Sequence, residues 1–84
     1  MSVHKAISEH SQRQHKAIRQ FLELDAKRET LIEEALNRCR RKEAFSVEKI
    51  NEVTREINEL AQSEIVPVRK YVTVQMICDF VKTL

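Results

Sequence analysis

The pattern of hydrophobic and polar positions is most regular over residues 44–62, where it predicts an amphipathic helix. Apolar side chains recur there at three- and four-residue steps, the period of one helix face, and charged side chains occupy the opposite face. The apolar positions are Val47, Ile50, Val53, Thr54, Ile57, Leu60 and Ala61. Such a face is stable only when it is covered, so another part of the chain must pack against it.

Three signals mark the start of this helix. Ser46 is a good N-cap residue because its hydroxyl accepts a hydrogen bond from a backbone N–H of the first turn. Glu48 places negative charge at the positive end of the helix dipole. Phe45 and Ile50 have the spacing of a hydrophobic staple around the cap. These signals predict a helix over about residues 47–63.

A single helical phase also runs through the first half of the chain. Its apolar positions are Val3, Ile7, Ala17, Ile18, Phe21, Leu24, Leu31, Ile32, Ala35, Leu36 and Cys39. No glycine or proline interrupts the charged segment Asp25–Glu29, so we predict one helix over about residues 2–43. A turn at Glu43–Ser46 then brings the second helix back against the first. This hairpin places Arg28 near Gln62 and Ile18 near Val72.

Two charged residues, Asp25 and Arg28, fall on the apolar face of the first helix. They are three residues apart and so are able to pair on the surface of one helix. Inside a hairpin seam, such a pair weakens packing but fixes the register of the two helices. The alternative is an imperfectly packed helix–helix interface in which the pair does not fix the register.

Pro67 interrupts the second arm, since proline removes a backbone donor and crowds the preceding turn. We predict that the arm is kinked or broken there and that a third helix covers about residues 67–83. Its apolar residues form a second face, which a single hairpin seam does not cover: Val74, Ile77, Phe80, Val81 and Leu84. The alternative is a strand over residues 72–78, where β-branched residues are dense and polarity partly alternates.

Composition supports a helical protein. The chain has 84 residues, no glycine and one proline, and a third of its residues are charged. Glycine-free sequence excludes tight glycine turns and phosphate-cradling loops, and it is typical of long helices joined by few turns. We predict a single all-α domain over residues 1–84, with a helical hairpin or a three-helix arrangement that assembles into an oligomeric bundle.

The charge and the termini suggest a cytoplasmic protein. A net charge of +2 does not by itself imply a nucleic-acid partner. The amino terminus lacks the apolar core of a signal peptide, and no apolar run is long enough for a membrane span. We therefore expect no membrane association.

Four basic residues form a cluster at the end of the first predicted helix: Arg38, Arg40, Arg41 and Lys42. One interpretation is contact with the phosphates of a nucleic acid. The other is structural, because cations are favoured at a helix C-terminus. No aromatic residue is interleaved with the cluster to stack on bases, so we prefer the structural interpretation and keep nucleic-acid binding as the alternative.

The remaining candidates for chemistry have unsuitable spacings. His4, His10 and His15 are six and five residues apart, whereas a helical metal pair needs three or four. In the predicted hairpin, Cys39 and Cys78 lie roughly 40 Å apart by helical rise, beyond the reach of a disulfide. We therefore interpret both cysteines as small hydrophobic residues, and we expect no metal, no cofactor and no enzymatic activity.

The whole chain resembles the small helical proteins of spore-forming bacilli that are grouped as a domain-of-unknown-function family. The resemblance rests on length, on the opening VHKAISEHSQRQH and on the stretch FSVEKINEVTREIN. It implies a bacterial cytoplasmic protein and carries over no functional residue.

Taken together, the residues predict a small interaction or structural protein. The second apolar face is more than one hairpin is able to bury, so we expect another chain to cover it. We predict a homo-oligomer, most simply a dimer, that forms through Val74, Ile77, Phe80, Val81 and Leu84.

Overall fold

Three helices form the described part of the chain. The computed structural model describes the backbone of residues 2–63 and 66–84, and the side chains of residues 15–62 and 66–84. The helices are α1 (Ser2–Arg40), α2 (Glu48–Ser63) and α3 (Val74–Lys82). No strand occurs in these ranges, which confirms the predicted all-α fold class. None of the helices in the same ranges has the length and apolar content needed to cross a membrane.

The long helix α1 sets the length of the molecule. Its 39 residues run without a break through Asp25–Glu29, as predicted. At a rise of 1.5 Å per residue they extend about 58 Å, which is most of the 61 Å long axis. The side chains of Val3 and Ile7, which the sequence places on the apolar face, lie outside the described residues.

A Schellman motif ends α1. The backbone N–H of Glu43 donates to the carbonyl of Arg38 at 2.8 Å, and that of Lys42 donates to the carbonyl of Cys39 at 3.1 Å. The motif requires a left-handed residue at its centre, and Lys42 takes this position with a φ of 61°. The seven residues between the helices form a longer connection than the predicted turn at Glu43–Ser46, because the first of them complete this cap.

The predicted start of α2 is confirmed. The Ser46 hydroxyl accepts a hydrogen bond from the backbone N–H of Glu48 at 3.1 Å. Phe45 and Ile50 pack in the same core cluster, as a hydrophobic staple requires. The register against α1 differs from the prediction, because Arg28 donates to the hydroxyl of Thr54 at 2.9 Å and therefore lies two turns away from Gln62.

After α2 the chain is extended rather than helical. Residues 66–73, which we call the extended segment, have no regular secondary structure, and the third helix begins at Val74 instead of Pro67. Proline restricts the residue before it to extended conformations, and several β-branched residues follow. Residues 72 and 73 make no strand ladder and residues 74–78 are helical, so the strand interpretation of residues 72–78 is also wrong.

The extended segment reverses direction and runs back along the hairpin. Val66, at its start, packs with Phe21 and Ile57. Val72, near its end, packs with Ala35 and Ile50. The prediction that Val72 lies near Ile18 is therefore wrong. It assumed that the second arm continues in the direction of α2, whereas the arm returns toward the end of α1.

The core consists of two clusters, and α1 contributes residues to both. The first contains Phe21, Val53, Ile57 and Val66. The second contains Ala35, Ile50, Val72 and Ile77. Both α2 and α3 pack on α1. The second cluster is the one that fixes α3, because it joins residues of α1, α2, the extended segment and α3.

Candidate functional site

The third helix carries the residues that the sequence assigns to a partner interface, and the structure separates them into two sets. Ile77 is 4% exposed and belongs to the second core cluster, and Val81 is half-buried. Val74, Phe80 and Leu84 remain 46%, 53% and 66% exposed. The predicted face is therefore not a single exposed surface, since Ile77 is covered by this chain itself.

A different set of exposed apolar residues lies on α3 and just beyond its end. Met76 is 45% exposed and lies four residues before Phe80, which lies four residues before Leu84. We call Met76, Phe80 and Leu84 the exposed stripe. Residues four apart on a helix form one ridge, so Met76 and Phe80 lie in a row, and Leu84 follows two residues beyond the end of α3. Met76 was not predicted from the sequence, although its four-residue spacing from Phe80 is the signal that identifies it.

The start of α3 is held by its N-cap. Thr73 has an extended backbone, and its hydroxyl accepts a hydrogen bond from the backbone N–H of Met76 at 3.1 Å. The same residue ends the extended segment, so the direction in which that segment arrives also sets the direction of α3. The placement of the exposed stripe therefore depends on how the extended segment is attached.

Two asparagines of α2 attach the extended segment through its backbone. The amide of Asn58 accepts from the N–H of Arg69 at 2.8 Å and donates to the carbonyl of Arg69 at 3.0 Å. The amide of Asn51 accepts from the N–H of Val72 at 2.8 Å and donates to the carbonyl of Val72 at 2.9 Å. Each side chain thus satisfies both polar groups of one residue, as a neighbouring strand does in a sheet.

The spacing of the two asparagines matches the extended segment. Asn51 and Asn58 are seven residues apart, which is two helical turns and about 10.5 Å on one face of α2. Arg69 and Val72 are three residues apart, which is about 10 Å in an extended chain. The two pairs therefore form together only in one register. These asparagines were not predicted from the sequence, where their seven-residue spacing on α2 is the available signal.

An ion pair between Arg69 and Asp25 also attaches the extended segment to α1. The guanidinium of Arg69 contacts Asp25 with nitrogen–oxygen distances of 3.0 and 3.3 Å, a bidentate arrangement. It also lies 5.1 Å from the centroid of the Phe21 ring, which suits a cation–π contact. The hydrogen bonds to Asp25 raise the pKa of Arg69. Asp25 therefore pairs with the extended segment and not with Arg28.

Arg28 links α1, α2 and the extended segment. Besides Thr54, it donates to the backbone carbonyl of Lys70 at 2.8 Å. Thr54 is fully buried and donates its own hydroxyl proton to the carbonyl of Ile50 at 2.8 Å. Burial lowers the pKa of Arg28, but an arginine remains charged in a protein. Asp25 and Arg28, the two charged residues on the apolar face of α1, therefore position the extended segment, and Arg28 also fixes the register of the hairpin.

The basic cluster at the end of α1 is exposed and partly paired. Arg38 contacts Glu34 at 3.4 Å, and Arg41 contacts Glu43 at 3.7 Å. Lys42 has the separate role of completing the helix cap. These contacts support the structural interpretation of the cluster. Binding of nucleic acid by Arg38, Arg40, Arg41 and Lys42 stays a prediction.

The two cysteines are neighbours, and the predicted separation of roughly 40 Å is wrong. The thiol of Cys39 donates to the sulfur of Cys78 at 3.5 Å. Cys39 lies in the last turns of α1, and Cys78 lies in the middle of α3. They meet because the extended segment carries α3 back to the end of α1 instead of away from it.

The histidines do not add a metal site to the described residues. No group of three or more His, Cys, Asp or Glu side chains has a metal-binding arrangement there. His15 is exposed, and the side chains of His4 and His10 lie outside the described residues. The candidate functional features of the described residues are therefore the exposed stripe, the pair of thiols, and the polar network that positions α3.

Comparison with known proteins identifies relatives over almost the whole chain. Residues 1–83 match the family described as "Protein of unknown function (DUF2533)". The chain is 44% identical over 82 residues to "Uncharacterized protein YpbS" of Bacillus subtilis (strain 168), and the match covers 98% of this chain and 96% of that relative. No solved structure matches. These matches confirm the predicted resemblance to a bacillus family of unknown function.

Proposed function

Since this chain belongs to the DUF2533 family of proteins of unknown function, we propose a role from its geometry: it is a small helical interaction protein that pairs with a second copy of itself through the exposed stripe. The observation that carries the proposal is the exposure of Met76 and Phe80 on one ridge of α3, with the exposed Leu84 just beyond the end of the helix. Large apolar side chains that form one surface are a common mark of an interaction site.

The order of the exposed stripe favours a second copy as the partner. Phe80 has a long apolar side chain four residues before it and another four residues after it. Two such helices that cross antiparallel on a two-fold axis bring each Phe80 to its own copy and each Met76 to Leu84 of the second copy. A surface that matches itself in this way is what a two-fold dimer requires. Ridges of residues four apart also interlock in the commonest helix packing.

The attachment of α3 also suits a docking role. Ile77 is buried in the second core cluster, so it holds α3 to the hairpin while Met76 and Phe80 stay exposed. The polar network of Asn51, Asn58 and Arg69 fixes the segment that leads into α3. A partner therefore meets a surface that is already ordered, which lowers the entropy cost of binding.

Sedimentation equilibrium with Phe80→Glu tests the proposal. We expect the native chain to dimerise and the variant to be monomeric at the same concentrations, with its helical circular dichroism unchanged. Leu22→Glu is the matched control, because Leu22 is also a large exposed apolar residue but lies on α1. Dimers that survive Phe80→Glu, or a native chain that stays monomeric at several hundred micromolar, contradict the proposal.

A charge-complementation experiment tests the two-fold arrangement itself. If Phe80 meets its own copy, Phe80→Glu and Phe80→Lys each place like charges together and prevent dimerisation. A mixture of the two variants then pairs opposite charges and forms a heterodimer, which native mass spectrometry resolves. If the mixture remains monomeric while the native chain dimerises, the interface is not centred on Phe80.

A further inference from the structure

The neighbouring thiols of Cys39 and Cys78 have no part in the proposed pairing of α3. Their sulfur atoms are 3.5 Å apart, about 1.5 Å more than the length of a disulfide bond, which is about 2.05 Å. Each cysteine lies on a regular helix, and the two helices pack on each other. A gap of this size is small compared with the movement of a sulfur atom on side-chain rotation, so we expect the bond to close without backbone rearrangement.

From this geometry we propose that Cys39 and Cys78 are a modification site: they form a reversible intramolecular disulfide that ties α3 to the end of α1. Both thiols are half-buried, so a small oxidant reaches them while the core stays intact. The bond closes a loop that contains the connection, all of α2 and the extended segment. A loop of this length restricts the unfolded chain considerably, and the folded state gains stability from it.

The oxidant that fits the site is a small organic disulfide, and the reaction is thiol–disulfide exchange. A thiolate of the pair attacks one sulfur of the small disulfide, which forms a mixed disulfide and breaks the sulfur–sulfur bond of the reagent, so that its other sulfur becomes a free thiol. The second cysteine loses its proton and attacks the protein sulfur of the mixed disulfide, which releases the remaining sulfur of the reagent as a thiol. The protein loses two electrons, the small disulfide gains them, and the two protons leave on the released thiols.

The surroundings of the pair indicate how the reaction responds to pH. The hydrogen bond that Cys39 donates to Cys78 raises the pKa of the Cys39 thiol, and burial acts in the same direction. The nearby Lys82 opposes this effect more weakly. Because only a thiolate attacks a disulfide, we expect the rate of closure to rise as the pH rises above neutrality.

Equilibration of the whole folded chain in mixtures of reduced and oxidised dithiothreitol tests the site. Thiol alkylation followed by intact-mass measurement counts the free thiols of each chain. We expect the count to fall from two to zero within single chains, and we expect the midpoint of thermal unfolding to rise by roughly 10–20 °C. The equilibrium constant for forming the disulfide should be roughly 30- to 1,000-fold larger for the folded chain than for the chain unfolded in urea.

Two serine variants provide the controls. Cys39→Ser and Cys78→Ser each keep a small side chain, so the reduced fold is retained, and each should lose the response to oxidised dithiothreitol. The proposal is wrong if the native chain forms only disulfides between chains, or if the folded chain closes the bond no more readily than the chain in urea. It is also wrong if either serine variant shows the same thermal shift. None of these outcomes depends on the oligomeric state.

Discussion

The side-chain amide of Asn51 forms two hydrogen bonds with the backbone of Val72, one at each of its polar atoms. Val72 is buried, so its N–H and carbonyl depend on these bonds. We predict that Asn51→Ala lowers the free energy of unfolding by about 1–3 kcal/mol, because it leaves buried backbone groups without partners. Urea unfolding followed by circular dichroism measures the change.

The control for this substitution is Asn37→Ala. Asn37 is an exposed residue of α1, and alanine has the higher helix propensity, so we expect a change within about 0.5 kcal/mol of zero or a small gain. Equal losses for the two variants would show that the Val72 backbone groups find water or another partner when the amide is absent.

Arg69→Lys is a second test, because it keeps the charge but removes the planar guanidinium. Lysine neither makes the bidentate contact with Asp25 nor stacks in the same way over Phe21. We predict a loss of about 1–2 kcal/mol in the free energy of unfolding. Arg55→Lys is the matched control, since Arg55 makes an exposed contact of 3.9 Å with Glu59 and should change by less than about 0.5 kcal/mol.

Lys42→Gly should stabilise the fold. Lys42 has a φ of 61°, a conformation that costs an ordinary residue about 1–2 kcal/mol and costs glycine almost nothing. Since glycine also gains entropy in the unfolded chain, we expect a net gain of about 0.5–1 kcal/mol by urea unfolding. The adjacent Arg41→Gly supplies only the unfavourable entropy and should destabilise. Stabilisation by both substitutions would contradict the assignment of the cap to Lys42.

The sequence was sufficient to predict the features that depend on local periodicity. The continuous phase of α1 and the capping signals at Ser46 are local properties, and the structure has both. The interruption of the second arm was correctly predicted, since α2 ends at Ser63 and no helix includes Pro67, but the extended conformation after Pro67 was not predicted. A helix and an extended segment are both compatible with residues rich in valine, and tertiary contacts decide between them.

The hydrophobic periodicity of the sequence did not indicate the direction of the chain after Pro67. It depends on amide–backbone pairs between Asn58 and Arg69 and between Asn51 and Val72, which join positions far apart in sequence. Because that direction was assumed to continue along α2, the separation of Cys39 and Cys78 was overestimated and Ile77 was assigned to the surface. One missing relationship therefore accounts for both errors at the candidate site.

The extended segment has a consequence for how the molecule comes apart. The N–H groups of Arg69 and Val72 donate to side-chain oxygens, and the hairpin of α1 and α2 keeps its own helical hydrogen bonds without them. Opening of the last fifth of the chain removes Val66, Val72 and Ile77 from the core but leaves these helical hydrogen bonds in place, so we expect it to precede unfolding of the hairpin. Local opening of this kind would turn α3 from a fixed surface into a tethered arm, at a free energy below that of global unfolding.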